Sequence, residues 1–480
     1  MRKGFVLLVA LVGCRDLLGI DDFTPPAERE PAIDVDTPVS GDGGAGGAAG
    51  ETAPKLLWWR ALGGRADDRV VSIALGAGGP VVGGVLDGVM DAGNGPIGQI
   101  GVRALFVLNL DAEGMPGASF VSQGPGSVER ALMAIAPDGS TVVAASYQGA
   151  IAIGGSTLPD PSPGAGLAVA VIETGGNVRF AVPMSSAALE PLTLTVDAGG
   201  AIALGGKKRG TFVAGTTTLP GGTDEDALLV KLSAQGEMLF ARDYRASGDA
   251  DDQALMAARF DASGVLHVAG TFAGDLALSG TPVNSRGLRD AFVATVDEAG
   301  NGSLSAQLGG GSASVAAQAL VFAQEGVVVA ATAEGDFEVG APLVGHGETD
   351  IVIAAIGGES EWAARFGGSG PDFVHALERA PDGGLLVGAS FSADFATVEN
   401  EAPITSAGEQ DALVFALSSA GDMRWARRFG RQDNDAVFAL ALDEAGGLLL
   451  AGSFREAAAL DGQVVQASGG EDGIVAKLSP

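Results

Sequence analysis

The residues of this chain with the clearest potential for chemistry are aspartates that recur next to short apolar runs. One set precedes the first run of a repeated unit: Asp67, Asp68, Asp251, Asp252, Asp372, Asp433 and Asp435. A second set precedes the last run: Asp226, Asp290, Asp350, Asp411 and Asp472. Hard cations prefer carboxylate oxygens, so a surface built from these acids would bind a divalent cation or a cationic partner. The alternative is that each aspartate accepts backbone N–H groups where a loop enters a strand.

Other residue types that carry chemistry are scarce. The three histidines, His267, His346 and His375, lie in different repeats, which argues against a histidine-based metal site or catalytic triad. Gly205-Gly-Lys-Lys208 lacks the spacing and the Ser or Thr of a phosphate loop, and we interpret Lys207-Lys-Arg209 as a solvated loop. We therefore predict no catalytic residue, metal or cofactor. An enzyme built on this chain would need paired carboxylates at a central channel.

The elements that position these side chains come from a sevenfold repeat. An anchor residue recurs at gaps of 61, 60, 60, 64, 58 and 63 residues, at Trp59, Phe120, Phe180, Phe240, Leu304, Trp362 and Trp425. Within each unit, short apolar runs are bounded by Gly, Asp and Asn, which is typical of β-strands, and none has helical length. Self-similarity at a fixed period indicates a repeat architecture.

Two regularities predict how the strands pack. The second run of every unit ends in two tiny residues, such as Gly83-Gly84 and Ala451-Gly452. Such positions mark the close approach of another element, and we expect the bulky anchor of a neighbouring sheet to fill the space. Asp-x-x-Gly sequences predict hairpin turns in which the carboxylate accepts a local N–H and glycine adopts a positive φ. These sequences begin at Asp197, Asp261, Asp297 and Asp443.

Four-stranded sheets repeated radially form a β-propeller, so the sequence predicts an all-β fold with seven four-stranded antiparallel blades over residues 55–480. The first unit begins with its anchor strand, residues 56–62, whereas the chain stops after the strand of residues 472–478. If the anchor strand is outermost, the N-terminal strand completes the last blade and closes the ring, which removes exposed sheet edges. Both aspartate-bearing loops then emerge on the same face.

The second and third copies depart most from the repeat. Gly166-Leu-Ala-Val-Ala lacks the aspartate of the last run, and Ala187-Ala-Leu-Glu-Pro191 lacks the acidic loop. Because most conspicuous residues recur at blade spacing for structural reasons, we expect the positions that break the repeat to be the informative ones for function.

The units resemble the β-propeller repeat (SBBP-like) found in large bacterial envelope proteins. The matching stretches are Trp362-Ala-Ala-Arg-Phe-Gly-Gly368, Val268-Ala-Gly-Thr-Phe272, Asp290-Ala-Phe-Val-Ala294 and Asp226-Ala-Leu-Leu-Val-Lys-Leu232. The resemblance covers residues 55–480. It implies the propeller architecture and names no ligand or reaction.

The N-terminal residues 1–14 have the pattern of a secretory signal: a charged start and an apolar stretch too short to span a bilayer. They end in Leu11-Val12-Gly13-Cys14, which resembles the bacterial lipoprotein box and implies that Cys14 is lipidated. The alternative is an ordinary signal peptide with an incidental cysteine. Residues 15–54 are rich in Pro, Gly and acids and predict a disordered tether, which would hold the ring about 35 Å from the membrane.

The formal charge of the 480-residue chain is −31, from 28 basic and 59 acidic residues. Such a charge repels polyanions, so nucleic acid is excluded as a partner. We predict a non-enzymatic, monomeric propeller, lipid-anchored in the bacterial cell envelope on the periplasmic or outer side, that binds a protein or polysaccharide. The alternatives are a carboxylate-based hydrolase or lyase at the central channel and a calcium-stabilised scaffold.

Overall fold

A computed structural model of the chain describes residues 53–245, 252–358, 360–396 and 403–480. The described residues all belong to one compact unit. The predicted signal peptide with Cys14, the predicted tether up to residue 52, and Asp251 lie outside them. The described residues contain no helix and form seven four-stranded antiparallel blades. This confirms the all-β propeller prediction.

Strands are numbered in chain order, beginning with β1 (Leu56–Leu62). Blade 1 contains β2 (Arg69–Gly76), β3 (Gly79–Asp91), β4 (Pro96–Leu110) and β5 (Pro116–Val121). Blade 2 contains β6 (Ser127–Ile135), β7 (Thr141–Gln148), β10 (Ala165–Ile172) and β11 (Val178–Ser186). Blade 3 contains β12 (Ala188–Val196), β13 (Ile202–Arg209), β16 (Asp226–Leu232) and β17 (Met238–Tyr244).

The remaining blades follow the same plan. Blade 4 contains β18 (Gln253–Phe260), β19 (Leu266–Phe272), β22 (Asp290–Val296) and β23 (Gly302–Leu308). Blade 5 contains β24 (Ser314–Phe322), β25 (Val327–Glu334), β28 (Asp350–Ile356) and β29 (Trp362–Phe366). Blade 6 contains β30 (Asp372–Arg379), β31 (Leu385–Phe391), β34 (Asp411–Leu417) and β35 (Met423–Phe429). Blade 7 contains β36 (Ala436–Leu442), β37 (Leu448–Leu460), β38 (Gln463–Leu478) and β1.

Blades 2 to 6 each carry a short hairpin between their second and third strands. The hairpins are β8–β9 (Ile151–Ile153, Ser156–Leu158), β14–β15 (Phe212–Ala214, Thr217–Leu219), β20–β21 (Asp275–Leu276, Val283–Asn284), β26–β27 (Phe337–Val339, Ala341–Leu343) and β32–β33 (Asp394–Phe395, Ile404–Thr405). In blades 1 and 7 the second and third strands themselves extend into the long hairpins β3–β4 and β37–β38. Each blade is covered on both faces by its neighbours, so its middle strands are continuous apolar runs; β34, for example, is buried along its whole length.

The ring is closed by strands from both ends of the sequence. The innermost strands contact one another in the order β2, β6, β12, β18, β24, β30 and β36, and β36 contacts β2. β1 pairs antiparallel with β38, from Leu56 opposite Leu478 to Leu62 opposite Gly473. The prediction that the N-terminal strand completes the last blade is confirmed. Pairing with β1 covers the edge of β38 that would otherwise be unpaired.

The meander gives the ring two distinct faces. One face, which we call the acid face, bears Asp68, Asp372 and Asp435. It carries the connections from the second to the third strand of each blade and the loops from one blade to the next. The opposite face, which we call the turn face, carries the tight turns after the first and third strands and bears Asp261 and Asp443. In the turns Asp261-x-x-Gly264 and Asp443-x-x-Gly446 the carboxylates accept backbone N–H groups and both glycines have φ near 85°. The predicted turn mechanism is confirmed.

Every innermost strand contains a β-bulge, which the sequence did not reveal. One residue faces no partner in the ladder, and these residues are Val71, Glu129, Leu192, Met256, Gln318, His375 and Phe438. In six blades the bulge lies opposite the pair of tiny residues. In blade 2 it lies two ladder pairs nearer the start of the strand, which moves Glu129 toward the acid face. A bulge re-aims side chains and tightens the local twist.

We expected the bulky anchor of a neighbouring sheet to fill the space beside the two tiny residues of each second strand, and this expectation is wrong. A Cβ on Gly84 would lie 1.8 Å from the carbonyl oxygen of Arg69, on the bulged strand of its own blade. A Cβ on Gly205 would lie 2.2 Å from Leu255, on the inner strand of the next blade. The space is therefore filled by the bulge and the neighbouring inner strand, not by the bulky anchor as we predicted.

The anchors instead join blades at their outer edge. The ring of Trp362 lies against Gly421 in a turn of the next blade, and its indole N–H donates to the carbonyl of Ser419 at 3.2 Å. Trp58 makes the equivalent contacts with Gly114 and Ala112. The register shows that Trp58 rather than Trp59 occupies the anchor position, because Trp58 faces Lys477.

Candidate functional site

The aspartates that we predicted as an acidic surface divide into buried and accessible groups. Asp68, Asp372 and Asp435 are at most 3% exposed. Asp67 is exposed and Asp433 is half-buried. The Asp252 side chain is 48% exposed. Among the described members of the set, only Asp67, Asp252 and Asp433 are placed where a partner could reach them, and for these three a binding role stays a prediction.

The buried carboxylates of the first set hold the loop that precedes them. Asp68 accepts the N–H of Gly64 at 2.6 Å, and Asp372 accepts that of Gly368 at 2.9 Å. Asp435 accepts the N–H of Arg431 at 3.0 Å. In each case the donor lies four residues earlier, so the carboxylate closes the loop that joins two blades. This is the turn role that the sequence left open as the alternative.

The aspartates before the third strands are also buried, all at 1% exposure or less. Asp350 accepts from the N–H of His346 at 3.0 Å and forms an ion pair with Arg365 at 2.8 Å. Asp411 accepts from the N–H of Ala407 and lies 3.4 Å from the guanidinium of Arg428.

A recurrent backbone bond, which we call the latch, joins this region to the next blade. The N–H at the start of an inner strand donates to the carbonyl of the residue that precedes the buried aspartate of the third strand in the preceding blade. The latch bonds are Gln253 to Glu225, Val315 to Arg289, Asp372 to Thr349, Asp435 to Gln410 and Asp68 to Glu471, at 2.6 to 2.9 Å. They close the junctions 3/4, 4/5, 5/6, 6/7 and 7/1. Among the described backbone bonds, no latch joins blades 1 and 2 or blades 2 and 3.

The latched junctions bring carboxylates from two blades together. A Cβ on Gly367 would lie 2.1 Å from Asp350 Oδ1 and 2.7 Å from Asp372 Oδ2. A Cβ on Gly430 would meet Asp435 and Asp411 in the same way. The close approach of two carboxylates therefore requires glycine before these junctions, and Gly430 also has a φ of 127° that favours glycine.

Burial and proximity shift the pKa values of these groups strongly. Burial, with a contribution from neighbouring carboxylates, raises the pKa of Asp372 and of Asp435 to about 8. Burial raises the pKa of Asp68 and of Asp411 to about 6, and it also raises the pKa of Asp472. Desolvation disfavours the charged form, and a second carboxylate nearby adds to the effect.

Much of the remaining charge on the acid face is paired. Glu471 binds Arg69 at 2.8 Å and Arg455 at 3.3 Å. Further pairs are Arg103–Glu129, Arg130–Glu190, Lys207–Glu190, Lys207–Glu225 and Arg289–Asp252. The face is therefore a mixed belt of ion pairs rather than a ring of bare carboxylates.

Our interpretation of Lys207-Lys-Arg209 as a solvated loop is wrong. These residues end strand β13. Lys208 is 1% exposed and its ammonium lies 2.7 Å from Asp226 and 3.3 Å from Asp243. The equivalent position in blades 4, 6 and 7 is a buried phenylalanine opposite the same aspartate. Paired acids on neighbouring strands, which the local sequence does not reveal, make burial of the lysine possible.

A cavity of about 340 Å³ opens between blades 2 and 3, where the latch is missing. It is lined by Glu129, by residues 146–148 and 162–165, and by residues 187–189. The Glu129 side chain is 43% exposed because the displaced bulge carries it here. Sequence reasoning identified both segments that break the repeat, Gly166-Leu-Ala-Val-Ala and 187–191, but missed Glu129. Its acidic side chain at an inner-strand position where the other copies carry none was the available signal.

A second cavity, of about 440 Å³, lies on the ring axis and is lined by all seven inner strands. Its titratable lining residues are Arg259 and His375, and none of the described lining residues is Asp or Glu. Arg259 is held by Glu378 at 3.1 Å, a bond from blade 4 to blade 6. His375 Nε2 lies 3.0 Å from Ser390 Oγ, and burial lowers the pKa of His375 to about 4.

The other two histidines contact residues of the fold and do not line the axial cavity. His267 lies 3.3 Å from Asp261 and packs edge-on against Phe322. His346 is half exposed beside Asp350. In the part of the chain that the structure describes, no group of three or more His, Cys, Asp or Glu side chains is arranged to hold a metal ion. None of the described segments forms a helix of the length and apolar character that crossing a membrane requires.

No protein-family model matches the chain, and no curated protein matches it in sequence. Among solved structures the chain is similar to an ulvan lyase, a polysaccharide lyase, with 13% identity and a TM-score of 0.46 over 86% of this chain and 97% of that one. It is similar to a protein of unknown function from Dyadobacter fermentans, with 12% identity and a TM-score of 0.40 over 73% and 93%. A pyranose dehydrogenase PQQ domain from Coprinopsis cinerea matches with 12% identity and a TM-score of 0.32 over 89% and 99%. Likeness at this level assigns no activity to the chain.

Proposed function

We propose that this chain is a non-enzymatic binding module of the bacterial cell envelope, held to the membrane by a lipid on Cys14. We further propose that it receives an envelope protein or polysaccharide at the cavity between blades 2 and 3. The observation that carries the proposal is the coincidence of that cavity with the repeat-breaking segments. Five junctions are closed by the latch, whereas this one opens into about 340 Å³.

The chemistry of the cavity suits a polar group inserted from a larger partner. Glu129 offers carboxylate oxygens, Ser146 a hydroxyl and Gln148 an amide, while residues 187 and 188 are alanines that leave room. Hydroxyl, amide and ammonium donors would all find acceptors here. A concave site with a few placed polar groups is the usual form of a specific binding pocket.

The enzyme alternative has less support. It required paired carboxylates at the central channel. None of the described residues that line the axial cavity is acidic, and Glu378, which reaches across the ring, is paired with Arg259. The carboxylates that do pair lie inside the blade junctions, where backbone N–H groups occupy them. A second function is therefore not proposed.

The binding proposal is tested by filling the cavity. Ala187 is exposed at its rim, and Ala187→Trp should block entry without disturbing the core. Purified protein would be titrated against a panel of envelope polysaccharides and, separately, against detergent-solubilised envelope proteins. We expect the parent to bind within one of the two panels and the variant to lose at least about tenfold in affinity, which corresponds to about 1.4 kcal/mol.

The matched control is Ala262→Trp, the same substitution at an exposed alanine of the turn face. It should bind as the parent does. Equal binding by both variants would show that the cavity is not the binding site. Failure of the parent to bind anything in either panel would refute the binding function itself.

The anchor is tested by membrane fractionation. The parent should sediment with membranes, and Cys14→Ser, which cannot be acylated, should appear in the soluble fraction after signal processing. A single acyl chain gives only marginal membrane binding, so stable sedimentation would indicate dual acylation. Identical fractionation of the two proteins would overturn the lipid anchor.

A further inference from the structure

Three of the latched junctions share a feature that neither turn closure nor partner binding explains: a pair of buried carboxyl groups from adjacent blades. At junction 5/6 the pair is Asp350 and Asp372, both 0% exposed. Their Oδ2 atoms accept the N–H groups of His346 and Gly368. Asp350 Oδ1 is buried and has no hydrogen-bond donor among the described residues, whereas the backbone N–H of Ser392 also faces Asp372. A buried oxygen without a donor is costly, so an orphan oxygen within such a pair calls for a missing proton or cation.

The same arrangement recurs at two further junctions. At junction 6/7, Asp411 and Asp435 approach the position of a Cβ on Gly430 at 2.6 and 2.3 Å, and Asp411 Oδ1 lacks a donor. At junction 7/1, Asp472 Oδ1 lacks a donor, and the charge of Asp472 raises the pKa of Asp68 across the junction. The pairing of carboxyl groups from adjacent blades therefore recurs at three junctions.

Cationic groups at the first two pairs favour a proton over a metal ion. Arg365 and His346 face Asp350 at 2.8 and 3.9 Å, so a metal ion there would be repelled by the guanidinium. Asp394 also faces Asp372. Around the second pair, Arg428 faces Asp411, and Asp433 faces Asp435, whose Oδ1 accepts the N–H of Arg455. Around the third pair, Asp87 faces Asp68 and Asp67 faces Asp472.

We propose that each of these three carboxyl pairs holds a single proton, and that this proton makes the closure of the blade junctions sensitive to pH. With the proton present, one member is a neutral carboxylic acid and donates O–H within the pair. When the proton leaves to solvent water, two buried carboxylates face each other and the junction weakens. Two carboxylates in one site cannot both ionise without a large cost, which is the basis of the sharing.

The ion pairs indicate which member carries the proton. Arg365 pairs with Asp350, so Asp372 is the neutral member at junction 5/6. Arg428 faces Asp411, so Asp435 is the neutral member at junction 6/7. The raised pKa values of Asp372 and Asp435, about 8 for each, agree with this assignment. A carboxyl group with a raised folded pKa stabilises the fold below its unfolded pKa near 3.8, and that contribution is lost as pH rises through about 8.

The experiment compares thermal melting of the full chain with Asp372→Asn and Asp435→Asn between pH 5 and pH 9. Asparagine keeps the shape of the neutral acid and cannot ionise. We expect the Tm of the parent to fall by several degrees across this range and each variant to flatten the fall. At pH 9 the variants should melt above the parent, a sign that loss of an ordinary structural aspartate would not produce. Asp382→Asn, at an exposed turn aspartate with a lowered pKa, is the matched control and should keep the slope of the parent.

A flat parent profile, or variants that melt lower by the same amount at pH 5 and pH 9, would overturn the proposal. So would a rise in the parent Tm at pH 9 on adding calcium that the variants lack, since it would put a cation in the place of the proton. If the variants do not fold, infrared spectroscopy of the parent still tests whether the pairs hold a proton. A carbonyl band of protonated carboxyl groups should be present at pH 6 and lost by pH 9, and its absence at pH 6 would refute the shared proton.

Discussion

The two faces of the ring use aspartate in opposite ways. On the turn face, hydrogen bonds from Ser140 and Ser263 hold the pKa values of Asp138 and Asp261 down to about 2. On the acid face, burial beside a second carboxyl raises the pKa of Asp372 and of Asp435 to about 8. Both kinds lie next to short strands at blade spacing. The difference shows that the local turn sets the ionisation of the turn-face aspartates, whereas burial and a carboxyl group of the neighbouring blade set that of the acid-face aspartates.

The largest effect should come from breaking a buried pair on the acid face. Asp350→Ala leaves the guanidinium of Arg365, which is 2% exposed, without its carboxylate. Removing one partner of a buried ion pair costs about 3–5 kcal/mol, because the other charge stays buried and uncompensated. We expect a clearly lower Tm and denaturant midpoint at pH 7.

Asp382→Ala is the matched test on the turn face, where Asp382 pairs with Arg424 and is 52% exposed. An exposed pair contributes only about 0–1 kcal/mol. Equal losses in the two alanine variants would contradict the contrast between the faces.

A smaller loss of stability is expected when Asp261 on the turn face is replaced. Asp261 accepts the N–H groups of Ser263 and Val265, so Asp261→Ala should cost about 1 kcal/mol at pH 7. The pKa of Asp261 is lowered to about 2, so its contribution is present above the unfolded pKa near 3.8 and is lost as pH falls through about 2. Melting curves from pH 7 to pH 2 should therefore show parent and variant converging. If the difference in Tm between parent and variant instead widens in acid, Asp261 has a raised pKa like the buried aspartates of the acid face.

A second contrast, between latched and open junctions, connects structure to function. Where Asp372 meets Thr349 the backbone bond closes the ring. Where Gly166 replaces the aspartate, the ring of Tyr147 lies against the glycine, Ala187 alone joins β11 to β12, and a cavity remains. The departures from the repeat thus coincide with the site where a ligand has room.

Most of the fold was predictable because the sequence contains seven copies of the repeat. Strand positions, blade number and ring closure by β1 follow from the period and from the offset between the termini. The bulges did not, because an unpaired residue such as Gln318 has no local signature. The assignment of Trp59 as an anchor was one residue off because Trp58 and Trp59 are both aromatic and only the register with Lys477 separates them.

The candidate site was predictable only in part. The sequence identified the aspartates, the shared face and the two copies that break the pattern. It could not show that Asp68 and Asp472 form a pair, since they come from opposite ends of the propeller sequence. Nor could it show that Lys208 is buried between Asp226 and Asp243.

The sequence alone determined the architecture of this protein, because strand periodicity and turn chemistry are local and recur in every copy. The tertiary structure alone decided which carboxylates are charged, which are buried and where a cavity opens. Those properties depend on desolvation and on charges contributed by another blade, and ring closure is what brings them together.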